Sequence, residues 1–159
     1  MTSLTFDVIH SLGSRGLTLA TAESCTGGGI GRALTEVPGS SQVYLGGVIS
    51  YTNGVKEKLL GVPRALLDEI GPVSGPVAEA MALGARRAIG ADAAVSVTGL
   101  AGPGGDEFGN PVGTVWIGLS WSGGTFAEKH LFFGDREAIR RAACSRALEW
   151  LLEVFPKQA

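Results

Sequence analysis

Residues 17–37, LTLATAESCTGGGIGRALTEV, decide the fold. The apolar, β-branched run at 17–22 breaks at Glu23-Ser24-Cys25-Thr26-Gly27-Gly28-Gly29, and apolar residues then resume at helical spacing over 30–37. This order predicts a strand, a tight polar turn and a helix. Working toward the C-terminus, Pro38-Gly39-Ser40-Ser41 stops the helix and residues 44–51 form a second strand with a glycine pair inside it. A turn at 51–54 follows, then short helical pieces at 56–60 and 63–70. A longer helix begins near Ser74 and Pro76, with Val77, Met81, Gly84 and Ala88 on one face. Residues 93–97 are a third strand that runs into a Gly- and Pro-rich loop reaching Pro111. Residues 114–121 and 125–133, joined around Ser122-Gly123-Gly124, predict an antiparallel hairpin. The last helix starts near Asp135 and buries Ile139, Ala143, Ala147, Trp150, Leu151 and Val154; toward the N-terminus, Ser3, Leu4, Val8, Ile9 and Leu12 mark a first helix. Helices alternating with strands and ending in a hairpin imply a three-layer α/β/α sandwich, a single domain over residues 1–159 with a mixed five-stranded sheet. In such sheets ligands bind at the carboxyl ends of the parallel strands, so the two Gly-rich loops mark the expected site.

Composition narrows the function. The chain has 159 residues, 45% of them apolar, enough for one core. Thirteen Lys and Arg against fifteen Asp and Glu leave a net charge of −2, which offers no basic face to a nucleic-acid backbone or an anionic membrane, so neither is expected as a direct partner. Cys25 and Cys144 cannot build a disulfide framework and no Cys/His spacing suits zinc, so a reducing, cytoplasmic setting without metal is expected. Neither a signal-like N-terminus nor a run of ~18 apolar residues is present.

Four groups of residues have chemical potential. Successive glycines at 27–29 before a helix let backbone N–H groups converge on an anion, with Ser24 and Thr26 adding hydroxyls and Gly27 and Gly28 giving close approach. The loop has neither the lysine of a Walker A motif nor GxGxxG spacing. A second group is Ser40 and Ser41 with Tyr51, Asn53 and Lys56, in which a lysine made neutral by burial takes the proton of an attacking serine. A third is Thr98 with Gly99 and Gly102. In the fourth, Asp135-Arg136 with Arg140 and Arg141, arginines oppose the dipole of the helix they begin, which an anion nearby would explain. Cys25 with Glu23 and Lys56 is a competing thiol nucleophile. His10 and His130 lie on a helix and a strand away from these loops, leaving a Ser-His-Asp triad without a base.

The blocks TAESCTGGGIGRALTEVPGSS, VISYTNGVKEKLLGV, VSGPVAEAMALGARRAIGADAAVSVTGLAGPGG, PVGTVWIGL and FGDREAIRRAA resemble the family of C-terminal domains of the competence/damage-inducible protein CinA, over roughly residues 4–153. The resemblance implies the same three-layer fold and nicotinamide mononucleotide (NMN) deamidase activity, which yields nicotinate mononucleotide and ammonia. Its motif positions fall on Ser24, Thr26, Ser41, Tyr51, Lys56, Thr98 and an arginine of the last block. Joined to the residue reading, this gives Ser41 as attacking hydroxyl with Lys56 as general base and Tyr51 assisting, Ser24 and Cys25 remaining as other nucleophiles. The Gly-rich loops hold the oxyanion and Arg140 or Arg141 the 5′-phosphate, with no cofactor required. The large N-terminal domain of longer members, which resembles molybdopterin-binding domains, has no counterpart here, and its pyrophosphatase chemistry is not carried over. The alternatives are a nucleotide-sensing module that binds without turnover, and an interaction domain in competence or damage response. A homo-oligomer is plausible, with Gly84, Ala88 or Trp121 as contacts.

Overall fold

The computed structural model describes residues 1–159. In chain order the elements are α1 (Thr2–Gly13), β1 (Leu19–Glu23), α2 (Gly29–Thr35), β2 (Tyr44–Ile49), α3 (Asn53–Leu60), α4 (Arg64–Glu69), α5 (Gly75–Ile89), β3 (Ala93–Gly99), β4 (Thr114–Trp121), β5 (Gly124–Leu131) and α6 (Arg136–Val154), with a single 3-10 turn at Ser40–Gln42 between α2 and β2. The five strands form one mixed sheet in the order β2-β1-β3-β4-β5. β1 pairs in parallel with β2 and with β3, and β4 runs antiparallel to both β3 and β5. The expected three-layer arrangement is the one observed.

Alternation along the strands builds two cores. Leu19, Val95, Val97, Val115, Ile117 and Leu119 face Val8 and Leu12 of α1, Ile30 and Leu34 of α2 and Ile139, Leu148 and Leu151 of α6. Each of the fully buried Leu and Ile side chains in that layer contributes about 2 kcal/mol through apolar area removed from water. On the opposite face the strands carry small residues. Ala20, Ala22 and Ala94 lie under Val77, Met81 and Ala85 of α5, together with Leu60, Val62 and Leu67. The small side chains let α5 approach closely: a Cβ on Gly118 would sit 2.3 Å from the Ala78 carbonyl oxygen. Ser96 Oγ donates to that same carbonyl at 2.6 Å. Gly84 lets α5 pack directly on the end of α3, since a Cβ there would meet the Leu60 carbonyl, while Ala88 one turn further along is exposed.

Two local differences from the sequence expectation have physical causes. Residues 51–54 read as a turn, yet α3 already starts at Asn53 because Thr52 is extended and leads straight into it. β5 stops at Leu131, and Phe133 is exposed on the way to α6, whose start is fixed by Asp135 accepting the Ala138 N–H at 2.8 Å.

The register places the carboxyl ends of the three parallel strands level, with Glu23 opposite both Ile49 and Val97. The chain leaves β1 toward β2 on one side and leaves β3 toward β4 on the other, so the crevice between the ends of β1 and β3 is the switch point where α/β sheets bind ligands.

Candidate active site

A cavity of about 290 Å³ opens at that switch point. Ser24 and Cys25 enter it from the β1–α2 loop, Tyr51, Asn53 and Lys56 from the segment after β2, Thr98 to Gly104 from the end of β3 and its loop, and Arg136 from the first turn of α6. Lys56 and Arg136 are its only charged residues, so it presents positive charge and no carboxylate.

Lys56 lies in the first turn of α3 and is 2% exposed. Its Nζ donates to Ser24 Oγ at 2.9 Å and to the Ser50 carbonyl at 2.8 Å. Burial disfavours the ammonium and brings its pKa down to about 8. Ser24 follows the last residue of β1 and precedes α2, a strand-turn-helix setting that presents a nucleophile at the top of a sheet. Its N–H is held by the Val97 carbonyl at 2.9 Å, whereas the Cys25 N–H is bonded to no oxygen of the protein. Cys25 is itself 5% exposed, and burial pushes its thiol up to about 11, so it is a neutral thiol near pH 7.

The anion cradle expected at 23–29 is filled from within. Glu23 is 2% exposed and accepts the Thr26 hydroxyl and the Ile30 N–H at 2.8 Å each, and the Gly31 N–H at 3.0 Å. The N-terminal amides of α2 therefore bind a carboxylate of the chain itself, and Thr26, Gly27 and Gly28 do not line the cavity. Arg140 is committed in a similar way: Nε donates to the Cys25 carbonyl at 3.0 Å and a terminal nitrogen to that of Thr26 at 3.4 Å. Arg141 pairs with Glu137 on an exposed face. The arginine at the cavity is Arg136, which donates to the Gly102 carbonyl at 2.6 Å and to the Tyr51 hydroxyl at 3.1 Å.

Ser41 does not meet Lys56. It is exposed in the 3-10 turn before β2. Lys56 lies beyond the other end of that six-residue strand, so at ~3.3 Å per residue about 20 Å of strand separates them. Tyr51, expected beside the lysine, sits 59% exposed at the rim with its hydroxyl on Arg136. Asn53, Thr98, Gly99 and Gly102 do line the cavity. The Thr98 hydroxyl is spent on the Pro72 carbonyl at 2.8 Å, and Gly99 is small because a Cβ would lie 2.7 Å from Val115. Sequence reasoning named Arg136 only as part of a basic run and Glu23 only as a partner of Cys25. The position of Arg136 directly after the helix N-cap was the available signal for the first, and the spacing of Glu23 from the α2 amides was the signal for the second.

Comparison with known proteins agrees with this fold. The family model for the CinA C-terminal domain matches residues 1–155. A "CinA-like protein" of Geotalea uraniireducens is 51% identical over 136 residues, 86% of this chain, which spans about a third (32%) of that longer protein. A protein of Pseudomonas putida named "Nicotinamide-nucleotide amidohydrolase PncC" is 50% identical over 138 residues, covering 86% of this chain and 85% of its own length. The crystal structure of a CinA superfamily protein from Klebsiella pneumoniae superimposes with a TM-score of 0.94 at 35% identity, covering 97% of this chain and 96% of the other. With the match running nearly end to end in sequence and in fold, the chain belongs to the family of CinA C-terminal domains.

Proposed function

We propose that this protein hydrolyses the carboxamide of nicotinamide mononucleotide, releasing nicotinate mononucleotide and ammonia, with Ser24 as nucleophile and Lys56 as general base. The observation that carries the reading is the buried Lys56 Nζ, 2.9 Å from Ser24 Oγ in the cavity at the sheet's switch point. The Pseudomonas putida amidohydrolase, half identical over most of both chains, supports the substrate.

In this scheme neutral Lys56 accepts the Ser24 proton as Oγ adds to the carboxamide carbon. The donor for the developing oxyanion in this scheme is the Cys25 N–H, the amide that follows the nucleophile and that no protein oxygen occupies. Lys56 then passes its proton to the amide nitrogen, the C–N bond breaks, and ammonia leaves an ester on Ser24. Water, deprotonated by Lys56, adds to that ester; its collapse frees the carboxylate product and returns the proton to Ser24. The pyridinium withdraws electrons from the carboxamide and favours addition. The exposed Tyr51 ring offers that cation a π face, and Arg136 offers the 5′-phosphate a two-pronged donor once it leaves the Gly102 carbonyl.

The test is ammonia release from NMN by the purified protein, with the nucleotide product identified by chromatography and free nicotinamide and NAD as controls. Stoichiometric ammonia and nicotinate mononucleotide, absent with Ser24→Ala, are expected. NMN that stabilises the fold but is returned unchanged would make the protein a binding module instead.

A further inference from the structure

Glu23 has no place among the groups that touch substrate in the scheme above, yet both halves of the reacting pair hang from it. Its main-chain carbonyl accepts the Ser50 N–H at 2.9 Å, and the Ser50 carbonyl in turn accepts from Lys56 Nζ at 2.8 Å. Its side chain collects Thr26 Oγ1 and the Ile30 and Gly31 amides, the residues on the far side of the turn that carries Ser24. From the opposite side Arg140 grips the Cys25 and Thr26 carbonyls. The turn is thus fixed at both ends while the Ser24 hydroxyl and the Cys25 N–H stay available.

A carboxylate that is 2% exposed costs several kcal/mol unless its lone pairs are occupied. Three donors and the helix N-terminus meet that cost, and in exchange the carboxylate excludes every other anion from the place where a Gly-rich loop would ordinarily take one. We propose that Glu23 is a positioning residue for hydrolysis: its buried carboxylate, bonded to Thr26 and to the first turn of α2, holds the turn that presents Ser24 to Lys56 and leaves substrate phosphate to Arg136. This assignment rests on Ser24 being the nucleophile.

The test compares Glu23→Ala, Glu23→Gln and Thr26→Val with the parent chain in kcat and KM for NMN, in the rate at which phenylmethylsulfonyl fluoride labels Ser24, and in circular dichroism and melting temperature. Glutamine keeps one acceptor oxygen but turns its NH2 toward an N–H, and valine removes a single donor while keeping the shape of threonine. Since a displacement of about 1 Å costs roughly 100-fold in rate, Glu23→Ala is expected to lose about that in kcat, and Glu23→Gln and Thr26→Val about tenfold, with KM within about threefold. Labelling of Ser24 falls in parallel, a readout that general loss of stability does not move at temperatures well below melting. Folded variants that keep kcat and labelling within about twofold of the parent overturn the proposal, and Thr26→Val alone decides it if neither Glu23 variant folds. That outcome with Ser24→Ala inactive is distinct from Ser24→Ala retaining turnover, which overturns the nucleophile assignment and this proposal with it. A parent protein that neither labels at Ser24 nor turns over NMN removes both.

Discussion

Lys56 Nζ meets Ser24 Oγ at 2.9 Å across 32 residues of sequence. The encounter follows from parallel pairing: β1 and β2 end level, so the loop after one and the helix after the other open onto the same crevice. Neither residue depends on the other's local sequence, and both are fixed by backbone bonds, Ser24 N–H to Val97 and Lys56 Nζ to the Ser50 carbonyl.

Replacing Ser24, Ser41 and Cys25 singly by alanine separates the three candidate nucleophiles. Ser24→Ala is expected to lower kcat by about a thousandfold or more, as removal of a member of a nucleophile-base pair does. Ser41→Ala, an exposed change at the far end of β2 from Lys56, should stay within about twofold. Cys25→Ala removes a neutral thiol and leaves the pair intact, so it should keep the activity within about tenfold. Ammonia release measures all three, and a dead Ser41→Ala with an active Ser24→Ala would reverse the assignment.

Activity should rise with pH. The base must be the free amine, and burial sets the Lys56 pKa to about 8, so kcat/KM for NMN climbs tenfold per unit below that value and levels off above it. A pH-rate profile from 6 to 9.5 checks this. A flat profile across that range would exclude Lys56 as the group that takes the proton.

The same burial predicts a pH-dependent cost to stability. Unfolded, the lysine holds its proton up to about 10.5; folded, it sheds it near 8. Between these values the unfolded chain binds more protons, so stability rises with pH across that window, and below pH 8 the buried cation's cost is present in full. Lys56→Met has no such group. The stability of the parent relative to Lys56→Met should therefore improve by about 2 kcal/mol from pH 7 to pH 10, measured by denaturant unfolding at each pH. A difference that does not change with pH would mean the amine is not desolvated.

What was legible in the sequence was local. The periodicities put every strand and helix close to its observed place; on α6 the expected Ile139, Ala143, Ala147 and Leu151 are buried, while Cys144 and Leu148 complete that face and Trp150 and Val154 are only partly covered. The loops after β1 and β3 both reach the crevice, the first through Ser24 and Cys25 rather than through its glycines. The pairing inside it was less legible, since it turns on which loop of a parallel pair each serine occupies. Ser41 precedes β2 and Ser24 follows β1, and proximity along the chain favoured the wrong one for Lys56. The glycine cradle misled for a related reason: the Gly27 and Gly29 amides bond to the Ser24 and Thr26 carbonyls, and the Ile30 and Gly31 amides that follow are taken by Glu23. Arg140 and Arg136 are one helical turn apart, and only the packing of α6 shows that the first clamps a loop while the second reaches the cavity.

Two buried serines on the strands and loops around α5 and α3 offer a contrast in what a hydroxyl contributes. Ser96 and Ser50 are both 0% exposed. Ser96 Oγ donates to the Ala78 carbonyl at 2.6 Å and ties β3 to α5, whereas Ser50 Oγ is the one buried side-chain polar atom without a partner. Removing a buried, bonded hydroxyl leaves a carbonyl unsatisfied and costs about 1–3 kcal/mol. Removing an unpaired one relieves a desolvation penalty of similar size and is offset only by the small void left behind. Ser96→Ala is therefore expected to lower the unfolding free energy by about 1–3 kcal/mol, and Ser50→Ala to leave it unchanged or raise it by up to about 1 kcal/mol. Because Lys56 uses only the Ser50 carbonyl, Ser50→Ala should also keep kcat for NMN. Urea unfolding curves for the two variants, with kcat measured alongside, decide the matter; equal losses of stability would show that the Ser50 hydroxyl is bonded after all.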